Sequence, residues 1–267
     1  MSEPSAPILY LPHGGGPLPL LGDPGHQALQ DFLESIPARL GQPEAIVVIS
    51  AHWEADTVTV TTGAQPELIY DYYGFPEESY RIAYPAPGHP ALAADILQCL
   101  ADAGIPARGD DQRGFDHGLF VPLKMMYPQA KIPCVQVSLV HDLDAQTHLA
   151  IGAALAPLRK RNLLVVGSGL SFHNMKLLMG GDNSHDREID SFHDWLRASL
   201  CDPTIVRDTQ ALRLTHWGQA PGARLCHPRE EHLLPLHVCW GMAADSSQAE
   251  VVFDGPVMGR RAMGLLW

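Results

Sequence analysis

Short apolar runs alternate with amphipathic stretches along this chain, and each kind of pattern predicts a different element. Uninterrupted apolar runs such as residues 45–49 are typical of strands that are buried on both faces of a sheet. The predicted strands cover residues 8–11, 45–50, 57–62, 135–140 and 163–167, with two more near Val251 and Val257. The predicted helices cover residues 26–40, 90–100, 145–159, 186–200 and 231–243.

Strands separated by helices predict one α/β domain over residues 1–267, with a central, largely parallel or mixed sheet flanked by helices on both faces. The alternation of valine and threonine in Val58–Thr61 predicts a half-exposed strand at the edge of this sheet. The segment 63–87 has no predicted element and is rich in tyrosine, proline and glycine. Loops of this length are usually functional. Two interpretations stay open: an aromatic wall for a flat ring, or a surface loop pinned against the sheet.

The composition excludes several classes of protein. With 30 acidic and 18 basic residues the formal net charge is -12, and such a negative field disfavours nucleic acid as a partner. The chain has no apolar run of the roughly 18 residues that predict a membrane span, and its first residues lack the features of a secretory signal. Five cysteines without a C-x-x-C pair predict reduced thiols. We therefore expect a cytoplasmic protein, either a monomer or a homodimer.

Three of the predicted strands lead directly into a histidine: His13, His52 and His173. Side chains just past the carboxyl ends of parallel strands meet at one crevice, which is where open α/β sheets bind their ligands. A fourth candidate, His232, lies in an apolar segment near the end of the chain, and His117 lies on a predicted loop where it could contact a substrate. Since neutral imidazoles are common metal ligands, this set predicts a metal site.

Spacing alone leaves the identity of the ligands open. Glu230 or Glu231 could supply a carboxylate and complete a site of two histidines and one carboxylate. His232 and His237 are separated by about 140° around a helix, so only one of them belongs to the site. Asp116 is interpreted as a helix cap rather than as an orienting partner of its neighbour.

Taken together, six short motifs resemble the class III extradiol ring-cleavage dioxygenases, in particular the group of the DOPA extradiol dioxygenases. The motifs are HGGGP (13–17), SAHW (50–53), YPAPG (84–88), GFDHG (114–118), SG (168–169) followed by HN (173–174), and EHLLPL (231–236). The resemblance implies that His13, His52 and His232 bind the metal. It further implies that His173 is a nearby acid/base and that His117 lines the substrate pocket. The implied working metal is Fe(II), although zinc can occupy such a site.

The resemblance predicts an enzyme that opens the ring of a catechol-type, DOPA-like substrate. Both atoms of O2 would enter a product of muconic semialdehyde type. As the alternative, the same three histidines could hold zinc in a hydrolase, where a metal-bound hydroxide attacks an amide or ester. A further alternative is a protein of the same architecture that uses the crevice for binding only. Removal of oxygen separates the two enzymes, because ring opening requires O2 and hydrolysis does not.

Overall fold

The computed structural model describes residues 5–180, 183–243 and 248–267. The strands are β1 (Ile8–Pro12), β2 (Ala45–Ala55), β3 (Val58–Thr61), β4 (Ala107–Asp110), β5 (Cys134–Val140), β6 (Leu163–Gly169), β7 (Glu250–Val257) and β8 (Arg260–Leu266). The helices are α1 (Gln27–Ser35), α2 (Pro37–Leu40), α3 (Pro90–Asp102), α4 (His117–Met126), α5 (Ala145–Leu155), α6 (Met175–Gly180), α7 (Asp186–Leu200), α8 (Arg207–Thr215), α9 (Ala223–Cys226) and α10 (Leu234–Met242). Within the described residues, no helix combines the length and the apolar character that crossing a membrane requires. Residues 1–4, where the sequence predicts no secretory signal, lie outside the described residues.

The strands form one mixed sheet in the order β4-β3-β5-β2-β6-β1-β8-β7. Neighbours in the central block of β5, β2, β6 and β1 run parallel, whereas β3, β8 and β7 each run antiparallel to a neighbour. In the register of this sheet, Ser168 of β6 lies between Leu11 of β1 and Ser50 of β2. The carboxyl ends of these three strands therefore meet at one crevice.

Alternate residues of the central strands face two separate apolar cores, one on each side of the sheet. In β1, Ile8 and Tyr10 belong to one core, and Leu9 and Leu11 belong to the other. Helices α3, α5, α7, α8 and α10 cover the first core, and α1 and α4 cover the second. Each large apolar side chain stabilises the fold by about 1.5–3 kcal/mol when it is fully buried. The predicted α/β class with helices on both faces is confirmed.

The prediction of an edge strand at Val58–Thr61 is wrong. β3 lies between β4 and β5, and all four of its residues are buried. The edge position belongs to β4, a short strand with no apolar pattern. The threonines of β3 are buried because their hydroxyl groups are bonded inside the sheet: Thr59 Oγ1 donates to a backbone carbonyl at 2.9 Å, and Thr61 Oγ1 accepts from the N–H of Gln136 at 2.8 Å.

Other differences between prediction and structure lie near the crevice. The last long helix, α10, begins at Leu234, so His232 precedes the helix instead of lying on it. The sequence predicts a loop around His117, but α4 begins at that residue. Val251 and Val257, predicted in separate strands, belong to the single strand β7, which pairs with the unpredicted strand β8. Helices α8 and α9 also have no counterpart among the predicted elements.

Candidate metal centre

Five histidine rings converge at the carboxyl ends of β1, β2 and β6. They are the same five that the sequence predicts as site residues. The ring centroid of His13 lies 4.7 Å from that of His52 and 5.2 Å from that of His232. The ring of His117 lies 3.8 Å from that of His52, and His173 stacks on His232 with a centroid distance of 3.4 Å. Imidazole rings therefore line the crevice.

His13 is held by a loop that turns sharply through glycine. Its backbone N–H donates to Gly169 O at 3.0 Å, which ties the residue to the end of β6. Gly14 adopts a φ of 87°, a conformation that favours glycine. The N–H of Gly15 donates to Nε2 of His26 at 3.0 Å. The fully buried His26, which the sequence places among surface, capping or core residues, thus fixes the turn that carries His13.

His52 lies inside β2, which continues beyond its predicted end. The pairing of β2 with β5 shifts register between Ile49 and Glu54, so the strand is irregular where it carries the histidine. Irregularities of this kind re-aim side chains next to active sites. The start of α4 approaches this part of the strand closely, because Gly118 has no side chain that would collide with Ser50 Oγ.

His232 is fixed through its backbone before α10 begins. Its carbonyl accepts hydrogen bonds from the N–H of Leu170 and from Oη of the buried Tyr10, both at 3.0 Å. Gly169 permits this contact, because a side chain at that position would overlap the His232 carbonyl. The N–H of His173 donates to a carbonyl at the end of α9 at 2.9 Å. Both residues therefore have a fixed backbone.

His117 is the first residue of α4. It is held in place by Asp71, which lies in the tyrosine-rich segment 63–87, called the aromatic loop below. Asp71 Oδ1 accepts from the backbone N–H of His117 at 3.0 Å and from its ring Nδ1 at 2.8 Å. Asp116 occupies the N-cap position, but its side chain does not cap the helix. It accepts instead from Ser50 Oγ at 2.8 Å and from Arg113 at 3.1 Å. Asp116 is therefore the N-cap residue of α4, as interpreted, but its carboxylate bonds Ser50 and Arg113 instead of the helix.

Three groups of side chains in the described part of the chain offer ligand atoms that lie within 4.8 Å of one another. The groups are His13, His52 and His232; His52, Asp71 and His117; and His173, Glu231 and His232. In the second and third groups, ring N–H groups already donate to the carboxylates. In the all-histidine group, Nε2 of His13 faces Nε2 of His52 at 3.0 Å. The all-histidine group is therefore the best candidate for holding a metal ion.

Hydrogen bonds at Nδ1 leave Nε2 of these rings available to a metal. Ser168 Oγ donates its proton to a backbone carbonyl, so the same oxygen accepts from Nδ1 of His13 at 3.0 Å. Nδ1 of His232 donates to Glu231 Oε1 at 3.0 Å. Metal-binding histidines almost always engage their second nitrogen in this way.

Burial lowers the pKa of the three rings and keeps them neutral. Desolvation is the largest cause for His13 and His52, and repulsion from the neighbouring histidines brings the pKa of each further below 6.5. Desolvation likewise lowers the pKa of His232 to about 4. Neutral imidazole is the form that binds metal ions. At neutral pH the group can therefore accept a metal without first losing a proton.

Glu231 bridges one ring of the all-histidine group and one ring outside it. Its Oε1 lies 3.0 Å from Nδ1 of His173 and 3.0 Å from Nδ1 of His232. Burial raises the pKa of Glu231, but the hydrogen bonds from the two rings outweigh burial and hold this pKa well below its usual range. Its neighbour Glu230 instead pairs with Arg224 at 2.6 Å. Of the two glutamates that the sequence leaves open, only Glu231 contacts histidines of the site.

Asp71 forms a second bridge on the other side of the crevice. Besides its bonds to His117, its Oδ2 lies 3.7 Å from Nδ1 of His52. Burial raises the pKa of Asp71, but the hydrogen bond from the His117 ring and the charge of that ring outweigh burial and lower the pKa. Both bridging carboxylates are therefore charged at neutral pH.

The aromatic loop packs on α4 and also reaches the crevice. The rings of Tyr70 and Tyr72 lie 5.9 and 6.4 Å from that of Phe120 on α4. Tyr72 also lies 5.7 Å from the ring of His117, and its Oη donates to Ser79 O at 2.7 Å. The loop is thus pinned by its aromatic side chains and at the same time presents one of them to the site.

Two contributors to the site have little signal in the sequence. Asp71 is a carboxylate between two tyrosines of a loop, and this charge inside an aromatic segment is its only mark. Ser168 lies between two glycines at the end of a predicted strand. That position places it at the crevice, but nothing in the pattern indicates that it bonds the ring of His13.

Several known proteins are similar to this chain in sequence. Residues 7–257 match the family described as the catalytic LigB subunit of aromatic ring-opening dioxygenase. Dioxygenase tasH from Hapsidospora irregularis is 40% identical, over 93% of this chain and 82% of the relative. A 4,5-DOPA dioxygenase extradiol from Beta vulgaris is 36% identical, over 93% of this chain and 92% of the relative. The protein of the same name from Escherichia coli K12 is 35% identical, over 98% and 94%.

A solved structure shares the fold. The crystal structure of an uncharacterized protein from Escherichia coli K12 has a TM-score of 0.80 and 31% identity, and the match covers 98% of this chain and 99% of that one. The resemblance read from the six motifs is confirmed. The chain belongs to the family of the catalytic LigB subunit of aromatic ring-opening dioxygenase, and it is an extradiol aromatic ring-opening dioxygenase.

Proposed function

We propose that this enzyme uses Fe(II) and O2 to open the ring of a catechol-type, DOPA-like substrate, with residues 1–267 acting as one catalytic domain. Both oxygen atoms enter a product of muconic semialdehyde type. The observation that carries the proposal is the group of His13, His52 and His232, whose ligand atoms lie within 4.8 Å of one another. The relatives named 4,5-DOPA dioxygenase extradiol support a dihydroxylated aromatic substrate.

The donor set fits an ion that is bound from one side. Imidazole nitrogens bind a metal ion at about 2.0–2.1 Å, so two that share one ion lie roughly 3–3.5 Å apart. The Nε2 atoms of His13 and His52 are separated by 3.0 Å. With His232 as the third ligand, all donors are neutral, so the ion keeps its full positive charge and favours an anionic substrate. Three protein ligands would leave further coordination positions for the reactants.

His173 is the acid/base of the proposed reaction. Bound Fe(II) supplies the electron transfer between ring and dioxygen that no side chain provides. The His173 Nδ1–H donates to Glu231, which leaves Nε2 to accept a proton from a substrate hydroxyl. The carboxylate then stabilises the imidazolium, because its negative charge faces the ring. General acid–base catalysis of this kind contributes roughly 10²–10⁴-fold in rate.

His117 lines the proposed substrate pocket. Asp71 engages its Nδ1 at 2.8 Å, so its Nε2 is the nitrogen that can contact a substrate. The ring of His117 lies between His52, at 3.8 Å, and Tyr72, at 5.7 Å. A planar substrate bound beside the metal ligands would therefore pack close to the aromatic loop.

A zinc hydrolase built on the same three histidines is not favoured. The family and the relatives of this chain are dioxygenases. Zinc fits a three-histidine site but has no redox chemistry, so it cannot replace Fe(II) in ring opening.

Oxygen uptake by the iron-loaded enzyme tests the proposed function. Metal-free protein is reconstituted with Fe(II) and given a panel of catechols that includes DOPA and caffeate, while O2 consumption and the yellow semialdehyde are followed. We expect uptake that matches ring opening, and no product from the zinc-loaded enzyme or in the absence of oxygen. Isotopically labelled O2 should place both atoms in the product. Oxygen-independent cleavage of an ester or amide substrate by the zinc-loaded enzyme would establish a hydrolase, and absence of O2 uptake with every catechol would overturn the substrate class.

A further inference from the structure

We propose that Glu231 and Asp71 are matched positioning residues, each of which ties one metal-binding histidine to one histidine that faces the substrate. The two links are Glu231 with His232 and His173, and Asp71 with His52 and His117. The metal and the groups that handle the substrate are therefore set together, through shared carboxylates. This inference rests on the proposed function, since it takes the all-histidine group as the metal ligands.

A single carboxylate oxygen makes the first link. Oε1 of Glu231 lies 3.0 Å from Nδ1 of both His173 and His232, and one carboxylate oxygen can accept two hydrogen bonds. The two rings stack with an interplanar angle of 17°. Two stacked rings that both contact one oxygen restrain each other's orientation. The ring of His173 is therefore held against the ring of His232.

Glu231 is itself held from outside by an ion-pair network. Arg229 lies 3.3 Å from Glu231 and contacts both carboxylate oxygens of Glu54, at 2.5 and 2.6 Å. The Glu231 side chain is only 12% exposed, and a buried carboxylate is costly unless charged partners and hydrogen bonds surround it. Glu54 lies on β2, the strand that carries His52. The network thus ties the Glu231 segment to the strand of another ligand.

Asp71, which makes the second link, holds its two histidines unequally. Asp71 Oδ1 accepts both the ring N–H and the backbone N–H of His117, at 2.8 and 3.0 Å. Its other oxygen lies 3.7 Å from Nδ1 of His52, beyond ordinary hydrogen-bond length. Asp71 therefore fixes the substrate-facing ring firmly and the ligand ring only loosely.

Because the two carboxylates hold their histidines differently, Glu231→Gln and Asp71→Asn should change metal affinity and kinetics to different extents. Glu231→Gln should weaken metal binding by about 10–100-fold, the usual range for outer partners of metal-binding histidines, and should also lower kcat. Asp71→Asn should raise KM and weaken metal binding by less than about 10-fold. In both variants the side chain keeps its shape, so the change reports the loss of charge and of one acceptor.

Metal affinity is measured without turnover. Each metal-free variant is titrated with Zn²⁺ in competition with a chelator, and the visible spectrum of the Co²⁺-loaded protein reports the ligand geometry. Glu230→Gln and Glu67→Gln are the matched controls. Glu230 pairs with Arg224 outside the crevice, and Glu67 is exposed on the same loop as Asp71. Both controls should keep the affinity, the spectrum and the kinetics of the parent enzyme.

His232→Ala separates this inference from the proposed function. If His232→Ala binds Zn²⁺ as tightly as the parent, the proposed ligand set is wrong. If His232→Ala loses Zn²⁺ but Glu231→Gln keeps its affinity, its Co²⁺ spectrum and its kcat, only the positioning role is overturned. An unchanged KM for Asp71→Asn removes the second link.

A second variant covers the case in which Glu231→Gln does not fold. Glu231→Asp keeps the charge but is shorter by one methylene group, so its carboxylate cannot reach both rings in the same way. We expect weaker Zn²⁺ binding and a lower kcat. Unchanged values for both quantities would overturn the positioning role as well.

Discussion

The two carboxylate links at the metal site are built from different kinds of chain. Glu231 adjoins His232 in sequence, on a segment whose backbone is bonded to the end of β6. Asp71 comes from a long loop and lies 46 residues before His117. Glu231 contacts both of its rings at 3.0 Å, whereas Asp71 lies 2.8 Å from His117 and 3.7 Å from His52.

The difference separates a half of the site in which both rings lie at hydrogen-bond length from their carboxylate from a half in which only one ring does. Proton transfer requires the acid/base nitrogen to stay within hydrogen-bond reach of the substrate, which suits the fixed geometry around Glu231. A carboxylate on a loop can follow the shape of a bound ring, because loops move more readily than the strands and helices that they connect. We therefore expect changes near Glu231 to act on kcat and changes near Asp71 to act on KM.

Removal of the two substrate-facing rings should test this contrast most strongly. His173→Ala should retain the metal and lower kcat by about 10²–10⁴-fold, equivalent to about 3–5 kcal/mol. His117→Ala should act mainly by raising KM. Steady-state kinetics together with elemental analysis measure both effects. If the His173→Ala protein is purified without metal, His173 is a metal ligand. The expected difference between effects on kcat near Glu231 and effects on KM near Asp71 would then not hold.

His193 lies away from the two carboxylate links, and its protonation should affect the stability of the folded protein. His193 Nδ1 donates to Ile189 O at 2.9 Å, and its Nε2 lies 2.9 Å from Ser171 Oγ. Burial lowers the pKa of His193 to about 4. As the pH falls below about 6.5, the unfolded chain takes up a proton that the folded chain does not. The folded state should therefore lose about 1.4 kcal/mol per pH unit from this residue, about 3 kcal/mol in total by a pH of about 4.

Denaturant unfolding of the metal-free protein at several pH values measures this loss. His193→Gln, which removes the titrating ring, should lose less stability on acidification than the parent protein does. An equal loss in the two proteins would show that the ring of His193 does not remain neutral in the folded state.

Tyr72 and Tyr73 test whether a hydrogen bond within the aromatic loop supports substrate binding. Tyr72→Phe removes the hydrogen bond from Oη to Ser79 O at 2.7 Å, which should cost about 0.5–1.5 kcal/mol of stability and raise KM. Tyr73→Phe is the control, since the side chain of Tyr73 is 91% exposed. Thermal unfolding and substrate titration compare the two variants. Equal values would mean that the hydroxyl of Tyr72 does not hold the loop against the site.

The central strands could be predicted because burial on both faces leaves an uninterrupted apolar run in the sequence. The same burial hides α4, since eight of its ten residues are buried and an amphipathic period cannot emerge. Gly118 and Pro122 inside α4 further weaken any helical signal. β4 has no signal in the sequence for the opposite reason, because its four residues are polar or small and are exposed or only half-buried.

His13, His52 and His173 could be predicted from strand ends, and the roles of His117 and His232 from the motifs, but the partners of these rings could not. His13 follows the end of β1 and His52 lies within the last residues of β2, and the parallel strands bring the two rings together. The bond from Asp71 to His117 depends instead on how a long loop folds back on α4, which no local pattern records. Glu231 lies beside His232 in sequence, but its contact with His173 exists only in the folded chain.

The strand order determines how late during translation the histidines of the site can come together. β6 inserts between β1 and β2, so His13 and His52 reach their places only after the middle of the polypeptide has been synthesised. His232 emerges later still, with the last part of the chain. Because a metal site rarely exists before its chain folds, we expect the nascent chain to gain the proposed three-histidine site only when translation is almost finished.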